Sequence, residues 1–570
     1  MRRKQRDLYN LLLSKVISMK PLLRPLALAA LLAGCATQRP DNQVELTLVG
    51  LNDLHGHLEA SRFNDSVKAG GIDAVAATVQ AWRKDDPDLV VVGAGDMIGA
   101  SPAMSAMFAD EPTIQALNLL GMRATSVGNH EFDAGRVELL RQAKGGCANS
   151  PRPEKACKFN PSWDGARFSY LAANVIDTRS NQPLLPAYRI EEVKGVKVAF
   201  IGTVLKDTPE LVAAGGISGL QFIDEAQAVN RLLPELRAQG ATVFVVLIHQ
   251  GGHSKARYDQ QYCNDLDGDI ADVVSRLDPA VRLVVSGHSH TGYLCRVDGK
   301  LVTQAEKFGH MLSRISLVVD RQTGAVVDAS ARNIVVEPGK YAGMPEVDAL
   351  LASVRARSSD ELNKPVAKIA LASISKQLMP NADESPLGQV VADAILASAR
   401  KWGGQIAFTN TGGIRTALDA GADNVVTMAQ TQVVLPFGNE IVVMNLTGAQ
   451  ILALLEGQWN GSEADKRGLL QVSEGFTYSW DTRKPKGQRI VRDSVKLNGA
   501  PLDEGASYRV AVYNFLAEGN DGFVTFRQGS NQAATGVRDV DSLRSYLVRL
   551  EQDNKPAGTY GAVPRIIRTK

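Results

Sequence analysis

At 570 residues the chain exceeds what one hydrophobic core supports, so two large domains are the expectation. With 44% apolar and 22% charged residues and no short repeat, it reads as globular rather than fibrous, repetitive or disordered. Residues 1–34 hold seven Lys/Arg and one acid, which leaves 56 basic against 60 acidic residues beyond them. That slightly acidic remainder offers no broad basic surface for a nucleic-acid polymer.

The first element in chain order is "MKPLLRPLALAALLAGC" (19–35): a basic start, a short apolar run, then small residues before a cysteine. This is a secretory signal pattern, and the apolar run is too short for a permanent membrane span. Leu32-Ala33-Gly34-Cys35 looks like a bacterial lipobox, which predicts lipidation of Cys35 and a periplasmic or cell-surface lipoprotein. Ala36 rather than Asp after the cysteine points to the outer membrane, and Met19 opens a more typical signal peptide than Met1 does. Export also accounts for the odd cysteine count. With Cys35 removed, Cys147, Cys157, Cys263 and Cys295 remain, enough for two disulfides in an oxidising compartment. Of the three possible connectivities, the short-loop pairing Cys147–Cys157 and Cys263–Cys295 is favoured.

Five strand-like apolar runs follow, each ending in a polar cluster. "VELTLVGL" leads into "NDLHGH" with Asp53 and His55, and "DLVVVGAGDMIGAS" reaches Asp96. "ATSVGNHEFD" presents Asn129, His130 and Asp133; "ATVFVVLIHQGG" ends on His249, and "VRLVVSGHSH" ends on His288 and His290. Any one of these could be a capped turn with surface histidines. Together they place five of the chain's eight histidines at the carboxyl edges of β-runs, where open α/β sheets bind ligands. Imidazole nitrogens with carboxylate and amide oxygens suit two divalent ions such as Zn, Mn, Co or Fe, which one aspartate can bridge.

The ordered set "NDLHGH", "GD", "GNHEFD", "H" and "GHSH" resembles the calcineurin-like metallophosphoesterases, specifically the exported 5′-nucleotidase/UDP-sugar hydrolase family. The resemblance implies that Asp53, His55, Asp96 and His290 hold one metal. Asp96, Asn129, His249 and His288 would hold the other, with Asp96 bridging. His130 would stabilise the transition state without ligating, oriented by Asp133. His57, His253 and His310 receive no role. The implied catalytic fold is an α/β/β/α sandwich over 44–343.

A helical connector is predicted at 344–366 from its apolar spacing, and a second α/β domain at 367–570. In "NTGGIR" (410–415) the paired glycines permit close backbone approach, and Arg415 offers a planar fork matched to phosphate. Phe437 and Phe515 lie in loop-like stretches, "LPFGNEIV" and "NFLAEGNDGF", where they could sandwich a nucleobase or equally plug the domain's own core. The resemblance spans about residues 44–566 and implies the first role. It also assigns Asn410, Arg415, Phe437, Asn439, Phe515 and Asp521 to substrate. One departure stands out: "ISKQLMPNAD" (374–383), where the family usually carries further phosphate-binding arginines, offers only Lys376. A lysine is a point charge rather than a fork, so phosphate geometry would be less tightly fixed.

The expected protein is therefore an exported, lipid-anchored two-metal enzyme, a monomer or dimer. It would release phosphate from nucleoside 5′-phosphates through attack by a metal-bridging hydroxide, in nucleotide scavenging. The alternatives are a 2′,3′-cyclic nucleotide phosphodiesterase or an NAD/UDP-sugar pyrophosphatase at the same site, a sulfur-compound hydrolase, and a surface lipoprotein without turnover.

Overall fold

The computed structural model describes residues 40, 42–63, 67–380, 382–459, 469–559 and 563–569. Cys35 and the signal segment lie outside them. Among the described residues no helix is long and apolar enough to cross a membrane.

The first domain is built on two six-stranded sheets. In one, Gln43–Leu51, Val90–Ala94, Met122–Ser126 and Ser169–Leu171 run parallel, and the antiparallel strands Met311–Asp320 and Val326–Val335 extend it. In the other, Val196–Val204, Val243–His249, Val281–Ser286 and Lys300–Ala305 run parallel, with Tyr188–Val193 and Gly292–Val297 antiparallel at the edges. Side chains alternate along each strand, so apolar residues on both faces demand cover on both. Val243, Val245 and Leu247 meet Leu46, Leu48, Val90 and Val92 in the core between the sheets. The intervening Phe244, Val246 and Ile248 pack outward under the helices Glu225–Asn230, Leu233–Ala238 and Asp269–Ser275. The opposite outer face carries Ile72–Asp85, Glu111–Leu120 and Gly135–Lys144. The layers are thus α/β/β/α.

The helix Pro345–Leu362, read from sequence as a connector, buries Val347, Leu350, Leu351 and Val354 in the first domain's core. Its apolar stripe makes it part of that domain's outer layer rather than a free spacer. The second domain has a five-stranded mixed sheet flanked by two apolar clusters, with a smaller four-stranded sheet beside it. Cys147 is bonded to Cys157 and Cys263 to Cys295, the favoured short-loop pairing.

Candidate active site

All five polar clusters sit immediately beyond or at the carboxyl ends of central parallel strands from both sheets, so the sandwich brings them to one edge. Asp53, His55, Asp96, His288 and His290 all have left-handed backbone, with φ between 47° and 74°. Such conformations are costly for residues with a Cβ and persist where the surrounding structure over-determines them. Gly128 permits the closest approach, because a Cβ there would lie 2.1 Å from Asp96 Oδ1.

The side chains converge. His290 Nε2 lies 3.1 Å from His55 Nε2 and 3.2 Å from Asp53 Oδ1, and His55 Nε2 lies 3.6 Å from Asp96 Oδ2. Atoms that share one ion at about 2.1 Å sit at roughly this mutual spacing. Three sets of donors lie within 4.8 Å of one another: Asp53, His55 and His290; Asp53, Asp96 and His249; and His55, Asp96 and His130. His288 joins none of these sets; its ring packs edge-on to His249 at 5.2 Å, and its backbone N–H donates to Asp53.

The donor chemistry fits divalent metals on three counts. His55 Nδ1 donates to the Gly99 carbonyl (2.9 Å) and His249 Nδ1 to the Ala94 carbonyl (2.8 Å), which turns each Nε2 toward the carboxylates. A ring held by its outer nitrogen in this way is oriented as a ligand. The buried Asn129 Oδ1 makes no hydrogen bond, and His249 Nε2, 2.9 Å from Asp96 Oδ2, forms no aligned one. Burial raises the Asp53 carboxyl; at Asp96 burial acts the same way, but His249, His130 and His55 outweigh it and hold that carboxyl well below its usual range. Burial would likewise lower His249, yet Asp96 and Asp53 lift it to about 9.

His130 stands beside this cluster, its Nδ1 3.0 Å from both Asp133 oxygens and its backbone N–H 2.9 Å from Asp96 Oδ1. Burial opposes protonation of its ring, but Asp133 and Asp96 prevail and raise its pKa. Of the unassigned histidines, His57 is buried and stacked on Phe308 at 3.7 Å, and burial lowers it to about 3. His310 is buried between Ser61 Oγ (2.6 Å) and Glu306 (2.7 Å), and His253 is exposed.

The second domain closes over this edge. Asp521 N donates to Glu210 O (3.2 Å) and Ala214 N to Glu518 Oε2 (3.0 Å), tying the two domains together. Between them lies a cavity of about 500 Å³, lined by His130, His288, Arg415, Phe437, Asn439 and Phe515. Phe437 stacks on His130 (5.5 Å, 19° between planes), and Arg415 lies 5.7 Å from the Phe437 ring centre. Phe515 also touches both apolar clusters of its domain, so its structural and ligand-facing roles coexist. Asn410 and Asp521 line the same cavity and bond to each other through Asn410 Nδ2. Lys376 has a different job from an arginine fork: its Nζ donates to the Ile414 and Arg415 carbonyls, both at 3.0 Å, and braces the loop that carries Arg415.

Sequence reading missed Glu131. Its buried carboxylate accepts from the backbone N–H groups of Met97 and Ile98 at one oxygen and of Asp96 and Gly128 at the other, at 2.5–3.2 Å. It therefore fixes the two turns that carry Asp96 and Asn129. Its place inside "GNHEFD" was the only signal.

The family profile described as calcineurin-like phosphoesterase matches residues 46–292, and that of the 5′-nucleotidase C-terminal domain matches residues 366–528. Cell wall protein Lmo0130 of Listeria monocytogenes is 31% identical over 568 residues, covering 94% of this chain and 70% of that protein. Endonuclease YhcR of Bacillus subtilis is 28% identical over 90% of this chain, which spans 40% of that protein's length. Among solved structures, a 5′-nucleotidase precursor from Thermus thermophilus superposes with a TM-score of 0.75 at 28% identity, covering 92% of this chain and all of that one. A two-layered phosphoesterase sandwich joined to a nucleotidase-type second domain is the class that fold and site define. The chain belongs to the family of calcineurin-like phosphoesterases that carry a 5′-nucleotidase C-terminal domain.

Proposed function

We propose that this chain is an exported two-metal phosphohydrolase that releases phosphate from nucleoside 5′-phosphates. In this reading residues 44–343 form the catalytic domain, 344–366 the link and 367–570 the substrate-capturing domain. Asp53, His55, Asp96 and His290 hold one divalent ion and Asp96, Asn129, His249 and His288 the other. The ions would supply a nucleophilic water at neutral pH and neutralise charge on phosphorus. His130, protonated and oriented by Asp133, donates a hydrogen bond to the phosphoryl or leaving oxygen as charge develops there. Arg415 grips the phosphate, Phe437 and Phe515 flank the base, and Asn410, Asn439 and Asp521 contact base and ribose. Lipidation of Cys35 would keep the enzyme at the membrane; a relative named as a cell wall protein supports export.

The observation that carries this reading is the single cavity lined both by His130 and His288 and by Arg415 and two phenyl rings. It offers apolar faces to a base and a guanidinium to a phosphate. The test is product formation, resolved by chromatography alongside phosphate release, from AMP, UDP-glucose, NAD, a 2′,3′-cyclic nucleotide and ribose 5-phosphate, with and without added Mn²⁺ or chelator. AMP should turn over fastest and only with metal. Faster cleavage of a cyclic or pyrophosphate substrate would reassign the reaction.

A further inference from the structure

We infer that Lys307, on the first domain, is a phosphate-binding residue that completes, with Arg415 and the Lys376-braced loop of the second domain, a cationic clasp spanning the domain junction. It rests on the reading of this site as a phosphohydrolase site and adds to it a residue for phosphate.

The geometry places Lys307 at the edge that carries the donor cluster. Lys307 belongs to the loop after the strand Lys300–Ala305, and the next residue anchors that loop on the metal-site edge, with Phe308 N donating to Asp53 O at 2.7 Å. The Phe308 ring lies 6.0 Å from the His55 ring and 5.9 Å from the His290 ring, and Lys307 Nζ sits 5.2 Å from its centre. Lys307 is therefore held beside the Asp53–His55–His290 donors. Across the junction, Lys376 and Arg415 are near enough that their charges act on Lys307 or its neighbours: Arg415 depresses Lys307, and both Arg415 and Lys307 depress Lys376.

Among the described residues neither lysine has a carboxylate oxygen within 4 Å. The nearest acid in sequence, Glu306, is committed to His310 Nδ1 at 2.7 Å. Burial and then the Arg415 and Lys307 charges push Lys376 down to about 8; burial and Arg415 also hold Lys307 below its ordinary value, against the Glu306 and Asp53 carboxylates, which raise it. Like charges gathered in a half-buried junction repel one another, and an anion held between them relieves that repulsion. A phosphate carrying two negative charges meets that need, and the junction sets it beside the donor cluster. The missing arginines of "ISKQLMPNAD" are thus offset from the opposite domain.

The experiment is calorimetric titration of Mn²⁺-loaded protein with inorganic phosphate, using Lys307→Met and Lys307→Arg, with metal content measured in each. Lys307→Met should bind phosphate roughly tenfold more weakly, as expected for one lost charge-assisted hydrogen bond, while Lys307→Arg stays near wild type. Unchanged phosphate affinity in Lys307→Met overturns the clasp; so does a loss that tracks lost metal or that arginine fails to restore. The nucleotide reading fails separately. If AMP is not hydrolysed but Lys307→Met still weakens phosphate binding, the clasp stands without it.

Discussion

The donor cluster of the first domain and the cavity wall of the second are built on different terms. The cluster hangs from turns that leave central strands directly, largely on strained left-handed backbone, with its rings and carboxylates held by buried partners. The wall is assembled from separate loops: Arg415 after a short helical turn, Phe437 ahead of a strand, Phe515 on a four-residue helix. Chemistry that needs sub-ångström placement of ions is kept on rigid elements. In the proposed reading, capture of a flat base and a sugar tolerates looser supports, which would also let the wall be retuned without touching the donor cluster.

If that contrast is right, the largest losses come from the cluster. Asp96→Ala removes the carboxylate that lies 3.6 Å from His55 Nε2 and 2.9 Å from His249 Nε2, so activity should fall to background and both metals should be lost. Elemental analysis should find two divalent ions per wild-type chain. A single ion in wild type, or full activity in Asp96→Ala, defeats the dinuclear reading.

A smaller effect is expected one layer out. In Glu131→Gln, one of the two oxygens that each receive two backbone N–H groups becomes an NH₂ facing donors. The turns bearing Asp96 and Asn129 then relax, and metal affinity should drop ~10- to 100-fold. Excess Mn²⁺ should restore turnover with KM for AMP unchanged. Failure of excess metal to rescue would mean that Glu131 acts on the reaction itself rather than on the ligands.

The same contrast explains what the sequence revealed. Strand-then-cluster order at Asp53, Asp96, Asn129, His249 and His288 was legible because a β-run and its exit turn are contiguous in the chain. Glu131 was not, because its partners are backbone N–H groups on two other turns, and such acceptors leave no residue pattern. The association proposed for Lys307 and Lys376 forms only across the domain junction, from positions about seventy residues apart. The connector's apolar spacing announced a helix but not the partner it covers.

The smallest effect expected is on the wall. Phe515→Ala should raise KM for AMP roughly tenfold, within the ~1–3 kcal/mol that a base–aromatic stack contributes. The base does not change during phosphorus chemistry, so its stacking stabilises ground and transition states alike and belongs in KM rather than kcat. Phe515 also packs against both apolar clusters of its domain, so the alanine variant removes core contacts as well. Phe515→Leu separates the two roles: it keeps most of the apolar cover and the fold, but presents no aromatic face. For both variants ribose 5-phosphate, which has no base, should keep its wild-type kcat/KM. If Phe515→Leu weakens AMP alone, the ring reads a base. Equal losses on AMP and ribose 5-phosphate would make Phe515 a packing residue, and the nucleotide assignment would lose one of the two aromatic contacts that distinguish it from a general phosphatase.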